Sequence, residues 1–199
     1  MSHSLLSIRD LDCGSVSGVN FELNPGQCLG LMGPSGAGKT RLLRAIADLD
    51  PHRGGIWLRG EARTQLPGHE WRRRVGYLPA ESHWWAERVG DHMAAPPPES
   101  LAALGFGAEV LDWEIVRLSS GERQRLALLR LLAARPEVLL LDEPTANLDP
   151  VNAERVETML VQQQRRGAGL VWVSHDQAQL QRLASEIFMV ADGRLEPLA

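Results

Sequence analysis

The chain has 199 residues, 44% of them hydrophobic and 23% charged, with a formal net charge of −4. Those values suit one folded domain with a single good core and exclude a disordered or low-complexity chain. The acidic balance, with no compensating basic stripe, excludes broad electrostatic binding to nucleic acid.

Met1 to Asp10 carries Ser, His, Arg and Asp and no apolar h-region, so no secretory signal is read there. Leu5 to Leu11 and Val19 to Leu23 read as strands joined by a Gly/Ser turn around Gly14 to Gly18. Asn24-Pro25-Gly26 then turns the chain into Cys28-Leu29-Gly30-Leu31-Met32, a buried strand. Cys13 and Cys28 are too few for a disulfide framework or a zinc site, which fits a reducing compartment.

The run Gly33-Pro34-Ser35-Gly36-Ala37-Gly38-Lys39-Thr40 is a complete G-x-x-x-x-G-K-T phosphate-binding loop. Its glycines let the backbone curl until successive N–H groups face phosphate oxygens. Lys39 supplies a point charge for the β- and γ-phosphates, and the Thr40 hydroxyl is placed to ligate Mg²⁺. A helix must start near Lys39 so that its N-terminal dipole completes the anion site, and Arg41 to Leu49 reads as that helix.

Ile56 to Arg59 and Val75 to Leu78 are short strands, and Arg72-Arg73-Arg74 reads as a solvated approach to the second of them. Between Trp84 and Arg117 the pattern changes, with a break at Pro96-Pro97-Pro98 and helical spacing around it; this segment is the candidate subdomain. Ser120 to Ala134 is a strongly periodic helix closed by Pro136. Val138 to Leu141 follows as a continuous apolar run of the kind found in a central parallel strand covered on both faces. Asp142 then emerges at the carboxyl end of that strand, where ligands bind in open α/β sheets. It is placed to hold Mg²⁺, and Glu143 to polarise an attacking water.

Val151 to Arg166 reads as a helix, Leu170 to Ser174 as a strand, and Asp176 to Ala184 as a helix. Ile187 to Val190 turns through Asp192-Gly193 into a final short strand. Strands alternating with helices imply a mostly parallel, layered α/β sheet. No apolar run approaches the roughly 18 residues of a membrane helix, so work at a membrane would need a partner.

Two further motifs are Leu118-Ser119-Ser120-Gly121-Glu122-Arg123-Gln124-Arg125 and Ser174-His175-Asp176. With Asp142-Glu143-Pro144-Thr145 and Asn147-Leu148-Asp149 between them, their order and spacing resemble the ATPase subunit of ATP-binding cassette (ABC) transporters, over nearly the whole chain. The resemblance implies a single ABC ATPase domain over 1–199: a P-loop NTPase-type α/β core, N-terminal antiparallel strands and a small, trimmed helical subdomain inserted at about 84–117. It implies ATP and Mg²⁺ as cofactors. It also implies that Ser119 and Gly121 bind the γ-phosphate held by a second copy of the chain, that Asp149 crosses to that copy, and that His175 helps position the catalytic carboxylate and water. Ser119-x-x-Glu122 is equally a capping box, and Asp149 equally a helix cap; both roles can coexist.

The chain departs from the family pattern at Ser120 and Glu122, which leaves the Ser119 hydroxyl and Gly121 in place. The turn Asp12 to Gly18 has no aromatic residue to stack on adenine, leaving Val16 or Cys13 to support the base. Ala80 stands at the position of the family's Q-loop glutamine, so that metal position falls to Glu81 or to water.

The leading reading is the ATPase subunit of a transporter, cytoplasmic and peripheral on the cytoplasmic face of the membrane. It would close as an ATP-dependent homodimer and drive a separate integral-membrane permease. The alternative is a soluble ABC ATPase acting in nucleic-acid or assembly processes, against which the acidic charge and the lack of a DNA-binding insertion weigh. Glu143 and His175 weigh against a module that holds ATP without turnover. Trp84-Trp85 opens the subdomain, and adjacent residues rarely share one face, so at least one ring is expected to be partly exposed as an anchor for the permease.

Overall fold

A computed structural model of the protein describes residues 4–94 and 96–198. Six strands form the larger sheet: β3 (Cys28–Met32), β6 (Val75–Leu78), β7 (Val138–Asp142), β8 (Gly169–Val173), β9 (Glu186–Ala191) and β10 (Arg194–Pro197). Their order is β10-β9-β3-β8-β7-β6, parallel throughout except for the antiparallel edge strand β10. Every residue of β7 and β8 is buried, as their continuous apolar runs require.

A second sheet, all antiparallel, has the order β2-β1-β4-β5, with β1 (Leu6–Asp12), β2 (Val19–Leu23), β4 (Arg53–Leu58) and β5 (Glu61–Ala62). Leu6, Ile8, Val19, Phe21 and Leu23 alternate inward, so one face packs on the core and the other meets solvent.

Two apolar clusters lie on opposite faces of the larger sheet. Val138, Leu140, Val171 and Val173 belong to the cluster shared with the N-terminal strands and α1 (Lys39–Ile46). Their sequence neighbours Leu139, Leu141, Leu170 and Trp172 belong to the other, shared with α4 (Ser120–Ala133) and α5 (Pro150–Arg165). The period-2 pleat of β7 and β8 divides the core in this way. The remaining helices are α2 (Gly68–Arg74), α3 (Pro98–Ala103) and α6 (Gln177–Leu183).

Three features differ from the sequence reading. First, α1 stops at Ile46 rather than near Leu49, because Asp48 takes a left-handed conformation with φ 58° while Leu49 N–H closes onto the Arg44 carbonyl at 2.8 Å. Second, α2 was not legible. It buries Trp71 completely, and the Trp71 indole donates to the Ile46 carbonyl at 2.9 Å. Its last turn carries Arg72 to Arg74, of which only Arg73 is simply solvated: Arg74 pairs with Glu61 at 2.8 Å and Glu137 at 2.7 Å, and Arg72 reaches Asp48 at 3.4 Å. Burial works to raise the Glu137 carboxyl, but hydrogen bonds from Arg59 and Arg74 outweigh it and hold the group below the usual range. Third, the described residues from Trp84 to Arg117 hold one six-residue α-helix and three 3₁₀ turns, packed on α4 around Val89, Leu101, Leu104 and Val110.

Trp71→Ala removes a fully buried ring and leaves the Ile46 carbonyl without its donor. We expect a loss of about 3–5 kcal/mol in urea unfolding, with little change at a surface control such as Arg73→Ala.

Candidate active site

The parallel register sets the geometry. Asp142 lies beside Val173, and Val173 lies beside Leu31, so β3, β7 and β8 end level. The loop after β3, the carboxylates after Leu141 and the Ser174-His175 pair therefore leave the sheet along one edge.

At that edge Gly33 (φ 145°) and Gly38 (φ 104°) hold backbone conformations that disfavour side chains. A Cβ on Gly33 would strike the Val190 carbonyl oxygen, and one on Gly38 would come within 2.5 Å of Ser15 Oγ and 2.9 Å of Val16 Cγ2. Pro34, Ser35 and Gly36 are exposed, and Ala37 is half-buried. The buried Lys39 ammonium donates to the carbonyls of Gly33 at 2.7 Å and Pro34 at 3.0 Å, which arches the loop around the charge. Burial lowers the Lys39 pKa, while Glu143 and then Asp142 pull it back up. Among the described residues no side chain caps α1 at Gly38, so the first N–H groups of the helix face the loop. A loop of this shape can cradle an anion.

Thr40 Oγ donates to Asp142 Oδ2 at 2.7 Å, which ties the loop to the end of β7. Tyr77 on β6 donates to the same oxygen at 3.1 Å. Burial and the Asp142 carboxylate raise the phenol pKa, so the hydroxyl keeps its proton. Sequence reasoning missed Tyr77, because a tyrosine inside a short apolar strand carries no motif. Glu81 is exposed and makes no hydrogen bond with Thr40 or Asp142. Among the described residues no three His, Cys, Asp or Glu side chains gather to hold a metal ion. A hydroxyl and a carboxylate in contact still fit Mg²⁺, which usually takes one or two protein oxygens and completes its shell with phosphate and water.

Glu143 follows in a left-handed conformation with φ 50°. Its Oε1 stands 3.3 Å from His175 Nε2, a contact of distance only, since that buried oxygen accepts no hydrogen bond. Burial raises the Glu143 carboxyl; His175 and Lys39 oppose the shift and Asp142 reinforces it. The loops bearing the two side chains are laced together by Gln179, which is buried. Its amide oxygen accepts from the Ser174 hydroxyl at 2.8 Å, and its amide nitrogen donates to Thr145 Oγ1 at 2.9 Å and Glu157 Oε1 at 2.8 Å.

Ser119, Gly121 and Asp149 form a second group, one that the sequence could not place relative to the first. Ser119 caps α4 reciprocally with Glu122: its Oγ accepts from Glu122 N–H at 3.2 Å, and its own N–H and hydroxyl donate to Glu122 Oε2, both at 2.8 Å. The hydrogen bond from the Ser119 N–H, with the help of the hydroxyl, holds the Glu122 carboxyl below its usual range against the pull of burial. Asp149 caps α5 through Asn152 N–H at 3.0 Å. A Cβ on Gly121 would meet Leu148 at 3.0 Å and the Asn147 carbonyl at 3.2 Å, so this glycine lets α4 pack on the Asn147–Asp149 loop of its own chain. Gln124 joins α4 to the end of β6 by donating to the Pro79 carbonyl at 3.0 Å.

The turn expected to support a base is built differently. Val16 and Cys13 are buried, at 1% and 3% exposure, beneath the loop rather than beside it. As for the tryptophans, Trp85 is 73% exposed while Trp84 packs against the second core cluster, and the Arg130 guanidinium lies over both rings.

The sequence profile of the family described as "ABC transporter" matches residues 16–146. ABC transporter I family member 17 of Arabidopsis thaliana is 34% identical, over 97% of this chain and 79% of its own. The phosphate import ATP-binding protein PstB of Aeropyrum pernix is 32% identical, over 96% of this chain and 86% of its own. A solved ATP-binding subunit of an ABC transporter superposes with a TM-score of 0.86 at 23% identity, covering 96% of this chain and 88% of that one, which shows the fold.

The His175 imidazole, 3.3 Å from the Glu143 carboxyl, works against its upward shift. Followed by ¹³C NMR, the Glu143 carboxyl should titrate above the ordinary glutamate range, and His175→Ala should move it higher still. A midpoint unmoved by His175→Ala would show that the 3.3 Å contact carries no electrostatic coupling.

Proposed function

The chain belongs to the ABC transporter family, and on that premise we propose that it is the ATP-hydrolysing subunit that energises a separate membrane permease. One observation carries the reading: the Thr40–Asp142 hydrogen bond brings the anion cradle, the Asp-Glu pair and His175 to one strand edge. Homologues named as phosphate and aliphatic sulfonate import ATP-binding proteins support the transport role.

In this reading ATP lies with its triphosphate in the Gly33–Thr40 loop, its negative charge met by Lys39 and by the free N–H groups of α1. Thr40 and Asp142 would hold Mg²⁺ with the nucleotide, where the ion neutralises charge on the β- and γ-phosphate oxygens. Glu143 draws a proton from the water that attacks the γ-phosphorus. The bond to the bridging oxygen breaks, leaving ADP and phosphate. The raised carboxyl suits that role, because a stronger base takes the proton more readily. His175 orients Glu143 and the water. The second group of residues meets ATP held by another copy: Ser119 and the N-terminus of α4 face its γ-phosphate, with Asp149 at the crossing. ATP thereby closes a homodimer, and hydrolysis reopens it.

None of the helices described is long and apolar enough to cross a membrane; in the proposed reading this subunit docks on the cytoplasmic face of a separate permease chain. Trp85 is the exposed aromatic anchor for that contact.

Glu143→Gln keeps the size of the side chain and removes the base. We expect ATP-dependent dimers on gel filtration and hydrolysis reduced at least ~10²-fold. Near-normal turnover would refute the role of Glu143. Trp85→Ala should reduce co-purification with the permease while basal ATPase stays within about twofold of wild type, because the ring lies outside the nucleotide site.

A further inference from the structure

We propose that Arg41 is the platform on which the purine base of the nucleotide rests. The inference deepens the nucleotide reading above and depends on it.

Sheet order gives the direction in which a bound nucleotide must run. The loop leaves β3, whose neighbour on one side is β8, followed by β7; Glu143 and His175 lie on that side. The γ-phosphate therefore faces β7 and β8, and the nucleoside end leaves the loop toward β9. What stands on that side is the β1–β2 turn. Ser15 and Val16 press on Gly38, and the Ser17 N–H donates to the Gly193 carbonyl, in the turn between β9 and β10, at 2.9 Å. The base must then lie on or beside residues 12–18.

That turn offers no plane of its own. Cys13 and Val16 are buried, Gly14 and Gly18 have no side chain, and the Asp12 carboxylate is occupied by the Gly14 N–H at 2.8 Å. A plane arrives from the next element. Arg41 follows Thr40 in the first turn of α1, and three atoms of its guanidinium lie 3.4–4.0 Å from the point where Gly14 would carry a Cβ. The group lies along the bare backbone of Gly14, which its φ of +82° keeps favourable to glycine. It is also uncommitted. Arg41 is exposed and makes no hydrogen bond or ion pair among the described residues, and the nearby Asp50 carboxylate is taken in two-pronged fashion by Arg44 at 2.9 and 2.8 Å. A planar, delocalised, weakly hydrated cation is suited to stack on the π-face of a base. A lysine ammonium has the charge without the plane.

Arg41→Lys separates the two contributions, with tripolyphosphate as a ligand that has no base. By isothermal titration with Mg²⁺ present, Arg41→Lys and Arg41→Ala should each weaken ATP about tenfold, as expected for one lost stacking partner. Arg41→Lys should bind tripolyphosphate within about twofold of wild type. Equal losses for ATP and tripolyphosphate would place Arg41 on a phosphate, and ATP affinity retained in Arg41→Lys would make it a simple charge; either overturns the platform. Wild-type protein that binds tripolyphosphate as tightly as ATP would overturn the platform and leave the phosphate cradle standing. Protein that binds neither would overturn the nucleotide reading, and the platform with it.

Discussion

The hydrogen bond from Thr40 to Asp142 is the contact on which the arrangement of the site depends. It joins the first turn of α1 to the carboxyl end of β7 across 102 residues of sequence. It forms only because β3, β8 and β7 pair in parallel with their ends level. A slip of one residue between β7 and β8 would turn Asp142 into the opposite face and send Leu139 and Leu141 into the wrong core cluster. The alternating assignment of β7 and β8 side chains to two separate cores is thus what holds the two carboxylates at the mouth of the Gly33–Thr40 loop.

A second set of contacts ties the site to the rest of the molecule. Gln124 and Arg125 are neighbours on α4 and both are buried, yet they serve different directions. Gln124 binds the Pro79 carbonyl at the end of β6 and accepts from Ser82 Oγ at 3.3 Å. Arg125 donates to the Leu104 carbonyl at 2.9 Å, lies over the Phe106 ring and binds Asn152, itself bonded to the α5 cap Asp149. The capped end of α4 is therefore fixed to the core strand, the 84–117 segment and the Asn147–Asp149 loop together. Buried polar groups with several partners resist independent motion. The 84–117 segment and the α4 cap should thus move as one body when the strand end at Pro79 shifts.

Much of the fold was legible in the sequence because the signals were physical. Continuous apolar runs at Cys28–Met32 and Val138–Leu141, and the strand read at Leu170 to Ser174 and found one residue earlier, are buried on both faces, and Pro136 and Pro150 mark where helices stop and start. What the sequence could not show falls into two kinds. Gly68–Arg74 is a helix held by one buried Trp71 and by ion pairs from its arginines to Asp48, Glu61 and Glu137, none of them sequence neighbours. Tyr77 and Gln179 act through partners brought close only by the folded chain, which also sets Arg41 beside Gly14. The opposite limit appears at Val16 and Cys13, whose place in the turn is plain from sequence but whose burial is decided by packing against α1.

The site also concentrates the local costs of the fold. Glu143 holds φ at 50°, a conformation unfavourable for a side chain of its size, and buries an oxygen that accepts no hydrogen bond. Lys39 is a buried ammonium whose partners are two carbonyls of its own loop. Burying a charge or an unpaired polar atom works against folding, so such groups persist only where the surrounding structure over-determines them. The Gln179 network, the level strand ends and the packing of Ser15 and Val16 on Gly38 supply that constraint. A triphosphate in the loop would replace carbonyl dipoles around Lys39 with full negative charge. A water held by Glu143 would satisfy its orphaned oxygen. In the proposed reaction the triphosphate and the nucleophilic water would meet buried Lys39 and the buried Glu143 oxygen, both of which oppose folding, so the residues that cost stability are those placed to bind.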